Sequence, residues 1–454
     1  MSPSTPRTSP GRWPDYRTVW RWHFYAGLFC VPFVMFLSIT GSIYLFQPQI
    51  QGWLDRAYDS AGAVQAAPPS QVVAAAMAAN PGWALHAYQL PASDRAAAQV
   101  IVGRNGEERR VYVDRGDLRV LRTVPEEQRL MRVIFHLHGE LLQGDRGSMV
   151  VELAASWTVV MIITGIYLWW PRHALSLRGA ATPRLDAGRR LFWRDLHAVT
   201  GAWVSVLALL ILASGLPWAK NWGGYLKEVR QLASGTAIHQ DWTTGRSSEI
   251  AANRAHDMAG MAMAGGGMGG EGPAGALQVL DRVAPTVAGL RLPGPVLIRP
   301  PAPGARLWTG ASEAADRPLR VEVKLDPTSG AVVKRTGFGQ HELVDRVVAV
   351  GVAAHEGQLF GWANQLLGLT AAAGLLTVSV SAVVLWWRRR NAGVLGAPVP
   401  AAEPRFSWAL AVIVVALGLL LPEFGVSLLV VLAVERLVLR RVPPVGRWLG
   451  LRAA

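Results

Sequence analysis

Charge is scarce in this chain. Only 17% of its 454 residues are Asp, Glu, Lys or Arg, against 51% hydrophobic residues, where a soluble domain carries about 25% charged residues. That shortage points to a chain largely embedded in a membrane. Cysteine is scarcer still, with a single Cys30 inside an apolar run. One thiol excludes an intrachain disulfide, a four-cysteine zinc site, a thiolate-held iron–sulfur cluster and the Cys-x-x-Cys-His attachment of a covalent c-type haem. Gly-x-Gly-x-x-Gly and Walker patterns are absent too, and no basic polar segment is long enough for a flavin or nicotinamide domain.

Apolar runs are abundant. Four are long enough to cross a hydrocarbon core of about 30 Å: residues 24–46, 149–170, 196–219 and 357–387. Two shorter runs, 406–421 and 424–439, are separated by Pro422 and Glu423 and read as a C-terminal helical hairpin, which brings the expected crossings to six. The first run follows a basic leader, exceeds a signal peptide's apolar stretch of about 7 to 15 residues, and is followed by Gln47, Pro48 and Gln49 rather than a small-residue cleavage site, so it reads as a retained signal anchor.

Short cytoplasmic loops collect Lys and Arg. With the N-terminus inside, the cytoplasmic pieces are 1–23, 171–195, 388–405 and the tail from Glu435, ending in 440–454; they hold 19 basic and 5 acidic residues. The two large outer segments, 47–148 and 220–356, hold 26 basic and 24 acidic residues. The net charge of +14 therefore lies on one side, in a bacterial-type inner membrane with periplasmic outer segments and both termini cytoplasmic. Its arginines flank apolar spans, as at Arg172 and Arg388 to Arg390, which is the pattern of interface anchors rather than of a nucleic-acid surface. Trp169, Trp170, Trp386 and Trp387 read as an aromatic belt.

The two outer segments look alike, suggesting an internal duplication. In the first, Val72 to Ala79 is helix-like, Ala84 to Leu90, Ala98 to Val102 and Arg110 to Val113 read as strands, and an Asp-led turn follows at 114. In the second, Leu277 to Ala284 is helix-like and the close is a strand, an Asp-Pro-Thr-Ser-Gly turn at 326–330 and another strand. Each close carries a hairpin signal. The expected architecture is two copies of span, small α+β domain and span, with the hairpin added.

Six of ten histidines lie near ends of the first four spans: His23, His136, His138, His173, His197 and His355. Ionisable residues at membrane depth are costly and so mark function by default, although a single histidine at a headgroup boundary is equally read as a solvated anchor. They pair: His23 and His197 start the first and third spans, and His138 and His355 precede the second and fourth. Two neutral imidazoles from different helices can hold one haem iron, so each pair is a candidate bis-histidine site. Gly27 and Gly201 each follow a paired histidine by four residues, clearing the same helix face one turn along; close helix packing is the competing reading. Gly139 and Gly357 are weaker versions of the same feature. His136 competes with His138, since residues two apart on a helix face different ways. His173, together with Arg172 and Arg194, falls in the basic loop, to contact a haem propionate or an electron donor or simply to be solvated.

Trp-His-Phe-Tyr-Ala-Gly at 22–27, His-Leu-His-Gly at 136–139, Ile-Thr-Gly-Ile-Tyr-Leu-Trp-Trp-Pro-Arg at 163–172, Asp-Leu-His-Ala-Val-Thr-Gly at 195–201 and His-Glu-Gly-Gln-Leu-Phe-Gly at 355–361 resemble the PepSY-associated transmembrane family. The resemblance covers roughly residues 15 to 390 and leaves the hairpin outside. It implies PepSY-like outer domains, two b-type haems and the type of an iron-regulated inner-membrane protein or ferric-siderophore reductase. The family's Leu-His pattern favours His138 over His136. The expected reaction is electron transfer from a cytoplasmic or quinol donor to a periplasmic Fe(III) chelate, releasing Fe(II) for uptake.

Competing classes remain. A haem-free protein whose outer domains bind or regulate an extracytoplasmic partner is one, and a proton-coupled transporter using intramembrane His and Glu152 as a relay is another, against which Glu152 and Glu423, the acidic residues near span interiors, both lie close to an edge. Copper handling is the third: Met258, Met261, Met263 and Met268 with His256 lie in a Gly- and Ala-rich loop, thioethers favour Cu(I), and the alternative there is a flexible insertion.

Overall fold

The computed structural model describes residues 14–60, 66–170, 179–184, 188–234, 273–302, 304–398 and 407–451. In chain order its helices are α1 (Tyr16–Tyr44), α2 (Gln47–Asp55), α3 (Pro69–Ala78), α4 (Leu130–Glu140), α5 (Asp145–Trp169), α6 (Gly188–Gly215), α7 (Lys220–Ser234), α8 (Pro273–Gly289), α9 (Leu343–His355), α10 (Trp362–Arg389), α11 (Trp408–Leu420), α12 (Pro422–Leu437) and α13 (Pro443–Leu449). The strands are β1 (Ala84–Gln89), β2 (Ala98–Arg104), β3 (Glu107–Val113), β4 (Val120–Pro125), β5 (Val296–Arg299), β6 (Trp308–Ser312), β7 (Val321–Leu325) and β8 (Val332–Gly337). The chain divides into two compact units, one of residues 1–42, 146–236 and 367–454, the other of residues 43–145 and 237–366.

The first unit is helical. Among the described residues, four helices are long and apolar enough to cross a membrane: Tyr16–Tyr44, Asp145–Trp169, Gly188–Trp218 and Trp362–Arg389. Their outward faces are apolar, as at Trp203, Val206 and Leu210, which suits lipid rather than water as the neighbour. The helices begin earlier than the apolar runs at their N-terminal ends, because turns rich in Arg and Trp continue the hydrogen-bonded ladder beyond the hydrocarbon-length stretch. The fourth departs in the other direction. Expected from residue 357, it starts at Trp362, because Gly357 and Gly361 adopt φ of +74° and +59°, which breaks a right-handed helix.

Helices α11 and α12 are shorter, 13 and 16 residues, or roughly 20 and 24 Å at 1.5 Å per residue, so the length test supports four of the six expected crossings. The hairpin packs tightly on itself, since a Cβ at Gly425 would lie 2.9 Å from the Gly418 carbonyl oxygen. It is fixed to the bundle where Trp157 Nε1 donates to Ser427 Oγ at 2.9 Å and the Trp157 ring meets Phe424 at 5.0 Å. After it, α13 docks on α1: Tyr25 donates to the Leu449 carbonyl and Arg21 to that of Gly450 at 3.2 Å.

The second unit carries an eight-stranded antiparallel sheet in the order β4-β3-β2-β1-β5-β6-β7-β8. Each outer segment supplies a helix and a four-strand meander, ending in the hairpin closed by an Asp: Asp114 accepts from the Gly116 amide and Asp326 from those of Thr328 and Ser329. The two meanders join where β1 pairs with β5, Tyr88 opposite Ile298. In place of two separate small domains there is one sheet, because the exposed edge of each meander satisfies its backbone groups on the other. Helices α3 and α8 cover one face, packing Val72, Val73, Leu280 and Val283 against Val100, Val111, Ile298 and Val323, and Ser70 joins them by donating its hydroxyl to Asp281 at 2.5 Å.

Candidate functional site

The repeat gives each half of the chain one histidine for each of two pairs. In the helical unit His23 of α1 faces His197 of α6, their ring centroids 6.3 Å apart and their planes at 79°. The supports come from the other two long helices. The His23 Nδ1 lies 3.0 Å from Thr164 Oγ1, and that hydroxyl donates back to the Val160 carbonyl at 2.9 Å, so it accepts from an Nδ1–H. His197 Nδ1 donates to the Val378 carbonyl at 3.0 Å, with Ser381 Oγ 3.4 Å away. Both rings are thereby held with the proton on Nδ1 and the lone pair on Nε2, the second-sphere arrangement that prepares an imidazole for a metal. Gly165 closes this support, because a Cβ there would stand 3.1 Å from His23 Cε1.

In the sheet-bearing unit His138 faces His355, again with centroids 6.3 Å apart, at 66°. This pair precedes the spans, on short helices of its own. His138 is on α4 and His355 ends α9, two short helices that precede α5 and α10. The separation has a backbone cause: Leu141, Leu142 and Gly144 take φ of 49°, 56° and 58° between α4 and α5. Gly357 plays the same part after α9. It was a candidate for clearing space, but a Cβ on it would stand 2.7 Å from Leu45 Cδ2 and 3.3 Å from the Gln365 Cα, so the turn and tight packing require it.

His136 has a different partner set. Its Nε2 lies 2.6 Å from Glu127 and its Nδ1 2.8 Å from Glu140, while Arg132 also pairs with Glu127 at 3.2 Å. Burial opposes the imidazolium, but the hydrogen bonds to Glu127 and Glu140 outweigh it and hold the pKa up to about 9. A ring that donates from both nitrogens has no lone pair for a metal.

The equal spacing of the two pairs fits a shared metal. A metal–imidazole bond of about 2.0 Å plus about 1.1 Å from ring nitrogen to centroid, taken on both sides of one ion, separates the centroids by roughly 6.2 Å. The glycines agree: a Cβ on Gly27 would be 3.6 Å from Met161 Sδ, one on Gly201 3.8 Å from Val378 Cγ2, and one on Gly139 would meet nothing within 4 Å. Protein packing alone does not forbid side chains there, so these positions have room beside the rings. A flat macrocycle needs such room.

Of the other expected residues, His173, Arg172 and the copper candidates His256, Met258, Met261, Met263 and Met268 lie outside the described residues. Arg194 binds Asp195 at 2.9 Å, as Arg184 does at 2.7 Å, which ties Arg184 to α6. Glu152, a candidate proton carrier, accepts from the backbone amides of Asn221 and Trp222 at 2.9 and 3.0 Å. Glu423 accepts from the Asn221 side chain. The sequence reading missed Thr164, Gly165, Val378 and Ser381 as supports. The first two were visible only as part of Ile-Thr-Gly, which occurs at 39–41 and again at 163–165, and a backbone carbonyl such as that of Val378 leaves no residue-type signal.

Compared with known proteins, residues 20–389 match the family described as the PepSY-associated TM region. No match is found among curated proteins.

Proposed function

The chain belongs to the PepSY-associated transmembrane family, and from that premise we propose that it is a dihaem b-type electron-transfer protein of the inner membrane that reduces a periplasmic ferric chelate, a ferric siderophore, to release Fe(II) for uptake. The observation that carries this reading is the pair of facing histidine couples, one in each unit, at the same 6.3 Å spacing. His23 with His197 is the inner-side couple and His138 with His355 the outer-side couple. The termini and basic loops are cytoplasmic, the eight-stranded sheet is the fused form of two PepSY-like periplasmic domains, and the α11–α12 hairpin makes the fifth and sixth crossings.

Held by His23 with His197 and by His138 with His355, b-type haem would supply a one-electron couple suited to electron relay. The chain's own residues set the rest. Thr164 and the Val378 carbonyl fix the ring tautomers, and Gly165 keeps His23 from being displaced by a neighbouring side chain. The near-neutral balance of the outer segments gives no strong steering field, so the acceptor is expected to be recognised by shape and hydrogen bonds. Reduction of its iron weakens the hold of hard oxygen ligands, which leaves Fe(II) for import.

The test is a visible spectrum of purified protein in nanodiscs with haem counted per chain. The expected result is a Soret band and two haems per chain, with dithionite-reduced protein reoxidised by a ferric siderophore while Fe(II) appears in a trap. A haem-free chain would overturn the reading in favour of a partner-binding protein. Reoxidation by cupric but not ferric chelates would move it to copper.

A further inference from the structure

Helix α9 turns an aliphatic face outward. Leu343, Val347 and Val350, at spacings of four and three, share one face with Val344 and are exposed, Leu343 at 67% and Val347 at 62%. The opposite face is the covered one: Val352 and Ala353 are buried, Asp345 and Arg346 half-buried, and the helix packs there on the turn Arg317–Leu319. Both the covered face and the face turned outward thus carry aliphatic residues, whereas a helix that faces water keeps polar side chains on its outward face.

The chain around this face shows what covers it. Six residues separate His355 from Trp362, the first residue of a membrane-length helix, and the seven residue steps reach at most about 25 Å. Within that link Phe360 is 68% exposed, and Trp362 itself 74%, aromatic side chains of the kind that settle at headgroup depth. Leu366, Leu367 and Leu369 in the first turns of α10 are exposed as well. We propose that α9 lies flat in the outer leaflet interface, with Leu343, Val344, Val347 and Val350 in the headgroup–acyl boundary of the bilayer. The occupant of this face is lipid. As a consequence His355, the last residue of α9, is held at headgroup depth; for what the His138–His355 pair does there, this rests on the function proposed above.

The experiment uses the full chain in a Cys30→Ala background, with Val347→Cys, Leu343→Cys or Lys334→Cys labelled with bimane and placed in nanodiscs containing phosphatidylcholine doxyl-labelled near the headgroup. Lys334 lies on the edge strand β8, exposed beside Arg335, and serves as the aqueous control. Each variant is first required to keep the parent's size-exclusion profile and melting temperature. The expected result is at least threefold quenching by the doxyl lipid at 343 and 347, weak quenching by iodide there, and the opposite order at 334. Iodide quenching at 347 without doxyl quenching would overturn the proposal in favour of water. So would disulfide cross-linking between copies at 347 without doxyl quenching, which would assign the face to a second chain. No haem is measured, so the absence of haem from the protein would leave this test intact.

Discussion

His136 and Glu140 stand one helical turn apart on α4 with Nδ1 and Oε2 2.8 Å apart, and Glu140 is almost wholly buried. Glu127 takes the other ring nitrogen, so the histidine next but one to His138 is part of an ionic clamp on the last turn that carries it. His136→Ala should take the imidazolium away from a buried carboxylate and cost about 3 kcal/mol, read as a lower melting temperature, while both haems stay in place. His138→Ala should instead lose about half the haem with little change in melting. If His136→Ala removed a haem at unchanged stability, the roles of the two residues would be exchanged.

The inner couple depends on groups that touch no metal. Thr164→Val removes the acceptor of the His23 Nδ1–H, and loss of such an outer partner typically costs 10- to 100-fold in metal affinity. Haem titration of the apoprotein should show about that weakening at the inner site alone. Thr164→Ser, which keeps the hydroxyl, should restore it. Gly165→Ala tests the same support sterically, since its methyl would press on His23 at 3.1 Å, and a shifted midpoint potential of the inner haem is the expected readout.

Acid should act first on the sheet. Glu126 binds Arg110 through two bonds, 2.9 and 3.0 Å, and Arg129 at 2.6 Å. Burial pushes its carboxyl up, but the two guanidiniums win and hold it down to about 2 from an ordinary 4.5. A folded pKa below the unfolded one gives stability that is fully present above pH 4.5 and lost as pH falls towards 2, at no more than about 1.4 kcal/mol per pH unit for one proton. The melting temperature measured between pH 5 and pH 2.5 should therefore fall, and Glu126→Gln should flatten that slope while lowering the value at pH 7.

How much of this was legible in the sequence follows from the range of each signal. The four long spans are written in local hydropathy, and β1 to β3 in alternation, so both are readable from a window of residues. The pairing of Tyr88 with Ile298 joins positions about two hundred residues apart and leaves no local mark, which is why two domains were expected where one sheet exists. The four paired histidines were legible because a costly residue recurs in each half of a repeat. Their supports were not: Gly357 looks the same in sequence whether it clears space or takes φ of +74°, and only the backbone separates the two.

Glu152 is the remaining test between classes of function. A proton carrier needs a carboxyl that gains and loses its proton without harm to the fold, whereas this one is buried and accepts from two consecutive backbone amides, Asn221 and Trp222, at the first turn of α7. Ser148, one turn before it on α5, accepts from the Lys220 amide at 3.2 Å, so the two side chains together cap the helix that follows the third span. Carboxylate at a helix N-terminus is favoured by the orphan amides and the helix dipole, and Glu152→Gln would turn an amide NH2 or a weaker acceptor towards those donors. The expected cost is about 1 to 3 kcal/mol, seen as a lower melting temperature, with haem content and ferric reduction per folded molecule unchanged. Proteoliposomes carrying the parent protein should show no proton uptake under an imposed gradient. Proton flux in the parent that Glu152→Gln abolishes at unchanged stability would instead make this carboxylate a carrier and the protein a transporter.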